Sequence, residues 1–123
     1  MTNKEFREQL IKRTYLYALK VMGLSDKLPS KKSCWVVADQ LLRSATSIGA
    51  NIIEAQAASS RRDFAKFLEY ALKSANESKF WLGLLRDSKN VNKNEVEPVI
   101  TETNELSKII ASIILSLKGK KKF

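Results

Sequence analysis

The sequence has 123 residues, 44% of them hydrophobic, which suits one domain with a single continuous core. It contains no histidine and no glycine-rich phosphate loop, which argues against zinc sites, di-iron bundles and P-loop nucleotide binding. We therefore expect no metal, no cofactor and no enzymatic activity. The 22 basic and 13 acidic residues leave a net charge of +9, which favours polyanions as partners.

The N-terminal residues are too polar for a secretory signal, and no run of about 18 apolar residues is present to cross a membrane. A cytoplasmic protein without membrane contact is expected. The lone Cys34 has neither a second cysteine for a disulfide nor a histidine base for catalysis. We expect it to be a small, buried apolar residue.

The first predicted helix begins at Thr2, because Thr2 and Glu5 have the spacing of a capping box, and it is expected to stop at Gly23. Its apolar residues recur at three- and four-residue steps, which is typical of a helix packed in a bundle. They are Phe6, Leu10, Ile11, Tyr15, Tyr17, Ala18 and Val21. The connection that follows contains Pro29, which breaks helical hydrogen bonding.

A second helix is predicted from about Ser30 to Ser59, with apolar residues again at three- and four-residue steps. They are Trp35, Ala38, Leu41, Leu42, Ala45, Ile48, Gly49, Ile52 and Ile53. A third helix, from Arg61 to Lys89, follows a second capping box that begins at Ser60. Its apolar seam is Phe64, Leu68, Ala71, Ala75, Ser78, Leu82 and Leu85.

The fourth helix is predicted to begin at Asn92 or Asn94, each of which has a glutamate three residues later. Pro98 is tolerable because it falls in or beside the first turn. The heptad pattern continues through Val96, Val99, Thr103, Leu106, Ile110, Ile113 and Leu117. We expect a bundle domain over residues 1–117 and a basic, mobile tail over residues 118–123.

Short connections between long helices force neighbouring helices to run antiparallel, so the sequence predicts an all-α, up-down-up-down four-helix bundle. The start of the first helix, the corner between the second and third helices, and the C-terminal tail then lie at one end. Nine basic residues gather there, against Glu5, Glu8, Glu54 and Asp63. They are the candidate nucleic-acid contacts: Lys4, Arg7, Arg61, Arg62, Lys66, Lys118, Lys120, Lys121 and Lys122.

A polar strip lies beside the apolar face of the second helix and consists of Arg43, Ser47, Asn51 and Glu54. Glu77 of the third helix is the predicted partner of Asn51 or Arg43, in a facing strip that also holds Glu69, Lys73 and Asn76. Paired carboxylates also suit acid–base catalysis, but a closely packed bundle offers no obvious cleft. A structural network that fixes the register of the two helices is the preferred interpretation.

Small and aromatic residues have both structural and functional interpretations. The aromatic residues Trp35, Phe64, Phe67, Phe80 and Trp81 suit base stacking, but on helices they more often belong to a core or a subunit contact. The small side chains are expected to let the second and third helices approach closely. They are Ala45, Gly49, Ala71, Ala75, Ser78 and Gly83.

The segment QLLRSATSIGANIIEA, residues 40–55, resembles the signature of the four-helix bundle proteins encoded in intervening sequences of bacterial 23S ribosomal RNA genes. The resemblance continues through Asp63, Phe64, Leu68, Ala71, Ser74 and Glu77. It implies a closed homo-oligomer, usually a pentameric ring, related in shape to the accessory variability determinant proteins of diversity-generating retroelements. Those proteins bind nucleic acid and a reverse transcriptase through basic surfaces. Apolar residues outside the heptad of the third and fourth helices, such as Phe67, Trp81 and Leu115, also suggest a subunit contact.

The leading functional hypothesis is a non-enzymatic, homo-oligomeric protein that binds RNA or another nucleic acid through its basic end with weak sequence preference. The alternative is a scaffold for a protein partner, in which the basic tail serves only solubility.

Overall fold

The computed structural model describes residues 1–119 and consists of four α-helices joined by short connections. The helices are α1 (Asn3–Asp26), α2 (Lys32–Gln56), α3 (Arg61–Ser88) and α4 (Lys93–Leu117). α1 and α3 each pack against both α2 and α4, and the α2–α3 contact is the most extensive. The all-α four-helix bundle predicted from the sequence is confirmed.

Contacts at the two ends of the bundle establish the up-down-up-down order. At one end, Lys27 directly after α1 reaches Glu95 in the first turn of α4, with 3.4 Å between Nζ and Oε1. At the other end, Arg61 at the start of α3 reaches the last residue of α4, Leu117. Chain connections and side-chain contacts therefore agree on antiparallel neighbours.

The predicted capping residues begin three of the helices. The hydroxyl of Thr2 accepts a hydrogen bond from the amide of Glu5 at 3.1 Å, and that of Ser60 accepts from the amide of Asp63 at 3.0 Å. The side chain of Asn92 caps α4 by accepting from the amide two residues further on. These contacts satisfy backbone donors that have no partner within the helix.

α1 is longer than predicted, whereas the proline of α4 lies where the sequence predicts it. α1 does not stop at Gly23 but continues to Asp26, because Leu24 is buried in the core and no neighbouring atom crowds the glycine. Pro98 is the sixth residue of α4, in the turn beside the first one, as predicted. Since proline has no N–H, the carbonyl oxygen of Asn94 loses its usual helical donor, and the cost is confined to one bond near the helix start.

The core follows the predicted seams of α3 and α4. Leu68, Ala71, Ala75, Ser78, Leu82, Leu85, Val96, Val99, Thr103, Leu106 and Ile110 are all buried. Tyr17 of α1 and Leu41, Ile48 and Ile52 of α2 complete the central layers. Cys34 is buried and free, as predicted.

Several predicted core residues lie instead on the surface. Tyr15 is 66% exposed, Trp35 is 65% exposed and Ile53 is 56% exposed. The outer side of α1 carries Tyr15, Leu16, Leu19 and Met22, all exposed. Outside the heptad of α4, Leu115 is 43% exposed as predicted, whereas Ile114 is buried and Ile109 packs against the core. The exposed large apolar side chains lie mainly on α1, α2 and α3.

Neither of the two glycines predicted between α2 and α3 closely approaches the other helix. A Cβ atom on Gly49 would lie 3.0 Å from Oγ1 of Thr14, so this glycine faces α1 and not α3. A Cβ atom on Gly83 would meet only the guanidinium of Arg86, at 3.9 Å. Between α2 and α3 the close contact comes from Ser44 and Ser78, whose hydroxyls are 2.8 Å apart in the interior.

Candidate nucleic-acid interface

The described basic residues of the predicted interface do gather at one end of the bundle. Arg61, Arg62 and Lys66 occupy the first two turns of α3, and Lys118 caps the end of α4. All four line one open depression. Arg7 of α1 lines a neighbouring groove together with Arg61, and Lys4 lies one turn before it on the same helix. Lys120, Lys121 and Lys122 lie outside the described residues.

Arg61 is held in place by the end of α4. Its Nη2 atom donates a hydrogen bond to the carbonyl oxygen of Leu117 at 3.1 Å. The last carbonyls of a helix have no partner within it and carry partial negative charge, so a guanidinium stabilises them. This bond uses one of the five N–H groups of the guanidinium and leaves the others for another acceptor.

Lys118, the first residue of the predicted tail, caps the end of α4. Its Nζ atom lies 2.8 Å from Oε1 of Glu69 on α3. This hydrogen bond and the charge of Lys118 hold the pKa of Glu69 below its ordinary value. Glu69 was expected in a strip facing α2, but it lies at the basic end, where it lowers the local positive charge.

The other cations differ in their partners. Lys66 lies 3.9 Å from Oδ1 of Asp63 on its own helix, at the outer limit of an ion pair. Among the described residues, no carboxylate lies within ion-pair distance of Lys4, Arg7 or Arg62. These three side chains are therefore the ones most available to an external anion.

The predicted polar network between α2 and α3 has other partners in the structure. Ser47 donates to the carbonyl oxygen of Arg43 at 2.7 Å, and Asn51 donates to that of Ser47 at 2.8 Å. Oε2 of Glu77 accepts from Trp81 of its own helix at 3.0 Å. Short polar side chains on a helix reach the carbonyl four residues back more easily than a neighbouring helix, so these bonds stay local. Glu54 is exposed.

The buried contacts that do fix helix register were not predicted. Tyr17 pairs with Thr103 at 2.7 Å between α1 and α4, in addition to the Ser44–Ser78 pair between α2 and α3. Tyr17, Ser78 and Thr103 were assigned to the apolar seams, where their hydroxyls need partners. A hydroxyl within an apolar seam therefore indicates a buried hydrogen bond, but spacing alone does not say which hydroxyls pair.

The described part of the chain, residues 1–119, has no cluster of three or more His, Cys, Asp or Glu side chains placed to hold a metal ion. None of its helices is long and apolar enough to cross a membrane.

Comparisons with known proteins agree with this architecture. Residues 7–112 match the family model described as 23S rRNA-intervening sequence protein. A crystal structure from Bacteroides thetaiotaomicron, described as a protein with unknown function from the S23 ribosomal protein family, is 37% identical, with a TM-score of 0.80. The alignment covers 85% of this chain and 97% of that one. No curated protein sequence matches significantly. The family match over most of the chain shows that it belongs to the 23S rRNA-intervening sequence proteins.

Proposed function

We propose that this protein is a non-enzymatic, homo-oligomeric protein of the cytoplasm that binds RNA, with weak sequence preference, through its basic end. The supporting observation is the convergence of Arg7, Arg61, Arg62 and Lys118 from three helices on one end of the bundle. Side chains from separate helices form a surface wider than one helix, which suits the repeating phosphates of a nucleic-acid backbone.

The energy of this binding comes from displaced counterions. Each lysine or arginine that neutralises a phosphate releases condensed cations, so affinity falls as salt rises. Lys4, Arg7 and Arg62 have no carboxylate partner among the described residues, so they are ready to make such contacts without first breaking an ion pair. Contacts of this kind carry no base information, which is the reason for expecting weak sequence preference.

Self-association is supported by the outer face of α1. Tyr15, Leu16, Leu19 and Met22 follow one another at one- and three-residue steps and are between 47% and 66% exposed. Met22 also lies beside Leu42 of α2, which extends this apolar face across the groove between the two helices. Contiguous apolar surface of this kind commonly marks a protein contact. In a pentameric ring, five basic ends would share one assembly.

A salt-dependent binding titration tests the proposed function. We expect a labelled structured RNA to bind at about 50 mM salt and to lose affinity steeply by about 200 mM. The double variant Arg61→Gln, Arg62→Gln should weaken binding and reduce the salt slope by about two, one for each cation. Lys27→Gln, Lys93→Gln removes the same charge from the opposite end and serves as the control. Absent or salt-insensitive binding would reject the proposal.

The alternative, a scaffold for a protein partner, is favoured by the exposed aromatic residues. Trp35 and Phe80 are 65% and 58% exposed, and neither lines the depressions of the basic end. Light scattering of the purified protein separates self-association from a separate partner. A mass several times that of the 13.9 kDa chain supports the oligomer. A monomer without RNA affinity favours the scaffold.

A further inference from the structure

The basic end of the bundle contains an open apolar groove of about 400 Å³. Its floor consists of the core side chains Leu10, Ile52 and Leu68, which are at most 6% exposed. Two aromatic side chains stand in its walls. Phe6 in the first turn of α1 is 41% exposed, and Phe64 in the first turn of α3 is half-buried. The ends of four helices meet here without closing over the core.

Cations and amides form the edge of this groove. Arg7 and Arg61 line it from α1 and α3, and Asn3 and Gln56 line it beside them. Arg61 is fixed by its bond to the carbonyl oxygen of Leu117, so its guanidinium is positioned before any ligand arrives. The groove therefore combines an apolar floor, two aromatic rings and a positively charged edge.

We propose that this groove binds one unstacked base of single-stranded RNA, while Arg7 and Arg61 contact the phosphates on either side of it. This inference rests on the proposed function and assigns a site within it. A base has a flat, apolar face that stacks on an aromatic ring whatever its identity, and its neighbouring phosphates supply the negative charge that the two guanidiniums require. In a duplex the bases are paired and stacked, so a duplex reaches the cations but not the groove.

An anionic amphiphile, such as a medium-chain fatty acid, has the same combination of apolar body and negative charge. The shape of the groove favours the base. An acyl chain needs a narrow apolar channel along its length, whereas this groove is open to solvent and has aromatic rings in its walls, against which a flat ring can lie.

The test compares single-stranded and duplex RNA on the full-length protein. Labelled oligouridine and a duplex of equal length, each of about 12 units, are titrated at about 50 mM salt. We expect oligouridine to bind more tightly than the duplex, and Phe6→Ala to weaken oligouridine binding about tenfold without changing duplex affinity or the salt slope. Phe80→Ala removes an aromatic ring that lies outside the groove and is more exposed than Phe6, at 58% against 41%, and it should change neither affinity.

Phe64→Ala gives a second variant, and circular dichroism confirms that each variant is folded before binding is measured. Photo-cross-linking of 4-thiouridine to a peptide containing Phe6 or Phe64 supports the site. Equal affinity of oligouridine and duplex, unaffected by Phe6→Ala, overturns the base-binding groove while leaving salt-dependent binding intact. If the wild-type protein binds neither RNA, the proposed function is overturned as well. Binding of dodecanoate in place of oligouridine, abolished by Phe6→Ala, assigns the groove to an anionic amphiphile and overturns the proposal.

Discussion

Tyr17 of α1 and Thr103 of α4 share a hydrogen bond of 2.7 Å in the centre of the bundle. Thr103 donates its own proton to the carbonyl oxygen of Val99 at 2.7 Å, so the phenol of Tyr17 is the donor to Thr103. Both side chains are almost completely buried. Burial raises the pKa of Tyr17 above its ordinary value, because the phenolate would lose its hydration.

Replacing Tyr17 by phenylalanine is expected to lower the free energy of unfolding by about 1 kcal/mol, since it leaves the acceptor side of Thr103 unpaired. The effect also depends on pH. A phenol with a raised pKa keeps its proton in the folded protein at a pH where the unfolded chain has lost it. The stabilisation that the buried phenol of Tyr17 gives to the folded state is therefore fully present below about pH 10, and it is lost as the pH rises above that value.

Urea titrations on either side of about pH 10 measure this dependence. The wild-type protein should lose more stability on the alkaline side than Tyr17→Phe does. Tyr15→Phe is the matched control, because Tyr15 is 66% exposed and should leave the alkaline loss unchanged. An identical alkaline loss in Tyr17→Phe and the wild type would contradict the assignment.

A second prediction concerns Gly49, where α2 comes closest to α1. An alanine there would place its Cβ atom 3.0 Å from Oγ1 and 3.2 Å from Cβ of Thr14. Thr14 is buried and its hydroxyl donates to the carbonyl oxygen of Ile11 at 2.8 Å, so it has little room to move. Overpacking should outweigh the gain in helix propensity, and we expect Gly49→Ala to destabilise the fold by about 1–2 kcal/mol.

Thermal unfolding of four variants tests this contact. Gly23→Ala is the control, because no atom lies within 4 Å of its added Cβ, and it should stabilise the protein by about 0.5–1 kcal/mol. Combining Gly49→Ala with Thr14→Ala should recover part of the loss, since alanine at position 14 removes the 3.0 Å contact with Oγ1 and keeps only the contact with Cβ. If the effects of Gly49→Ala and Thr14→Ala simply add, the two residues are not coupled.

The helix starts and the basic end could be predicted because both follow from local rules. A capping residue such as Thr2 or Ser60 acts within one turn, and short connections leave antiparallel packing as the simple solution. Once the order is up-down-up-down, Arg61 and Lys118 must meet at one end, whatever the details of packing.

Where a helix has apolar residues on several sides, its sequence does not predict which side faces the interior. In α1, both Tyr17 and Tyr15 continue a three- and four-residue pattern, yet the first is in the core and the second is on the surface. The choice depends on where α2 and α4 lie. The same uncertainty placed Glu69 opposite α2, although its partner is Lys118. Spacing gives the period of a helix but not the identity of its neighbours.

A third prediction concerns the ion pair between α1 and α4. Both Nε and Nη2 of Arg13 donate to the carboxylate of Glu102, at 2.7 and 2.8 Å. These bonds raise the pKa of Arg13. The guanidinium is 40% exposed, so solvent screens the pair, and we expect Glu102→Gln to cost about 0.5–1 kcal/mol at low salt and less at high salt. Glu105→Gln on the same helix is the control for charge alone.

Urea denaturation at two salt concentrations measures the difference. Arg13→Lys should lose a similar amount, because lysine cannot make the two parallel bonds of a guanidinium. A Glu102→Gln protein as stable as Glu105→Gln at low salt would show that the pair contributes nothing measurable.

The last prediction uses the carboxylate within the proposed RNA interface. Glu69 binds Lys118 at 2.8 Å and, with Asp63, adds negative charge to a depression that four cations line. If RNA phosphates bind there, Glu69→Gln should free Lys118 and remove a repulsive charge. We expect RNA affinity to rise about threefold to tenfold at low salt and the salt slope to steepen by about one.

Asp87→Asn is the matched variant for this experiment, because Asp87 pairs with Arg86 at 2.9 Å outside the basic end. It changes the net charge of the protein by the same amount. Anisotropy titrations of the same RNA against both variants then separate a local contact from a general charge effect. Tighter binding by Glu69→Gln alone places Lys118 among the phosphate contacts. An equal rise in both variants assigns the gain to net charge, and no change in either one removes Lys118 from the interface.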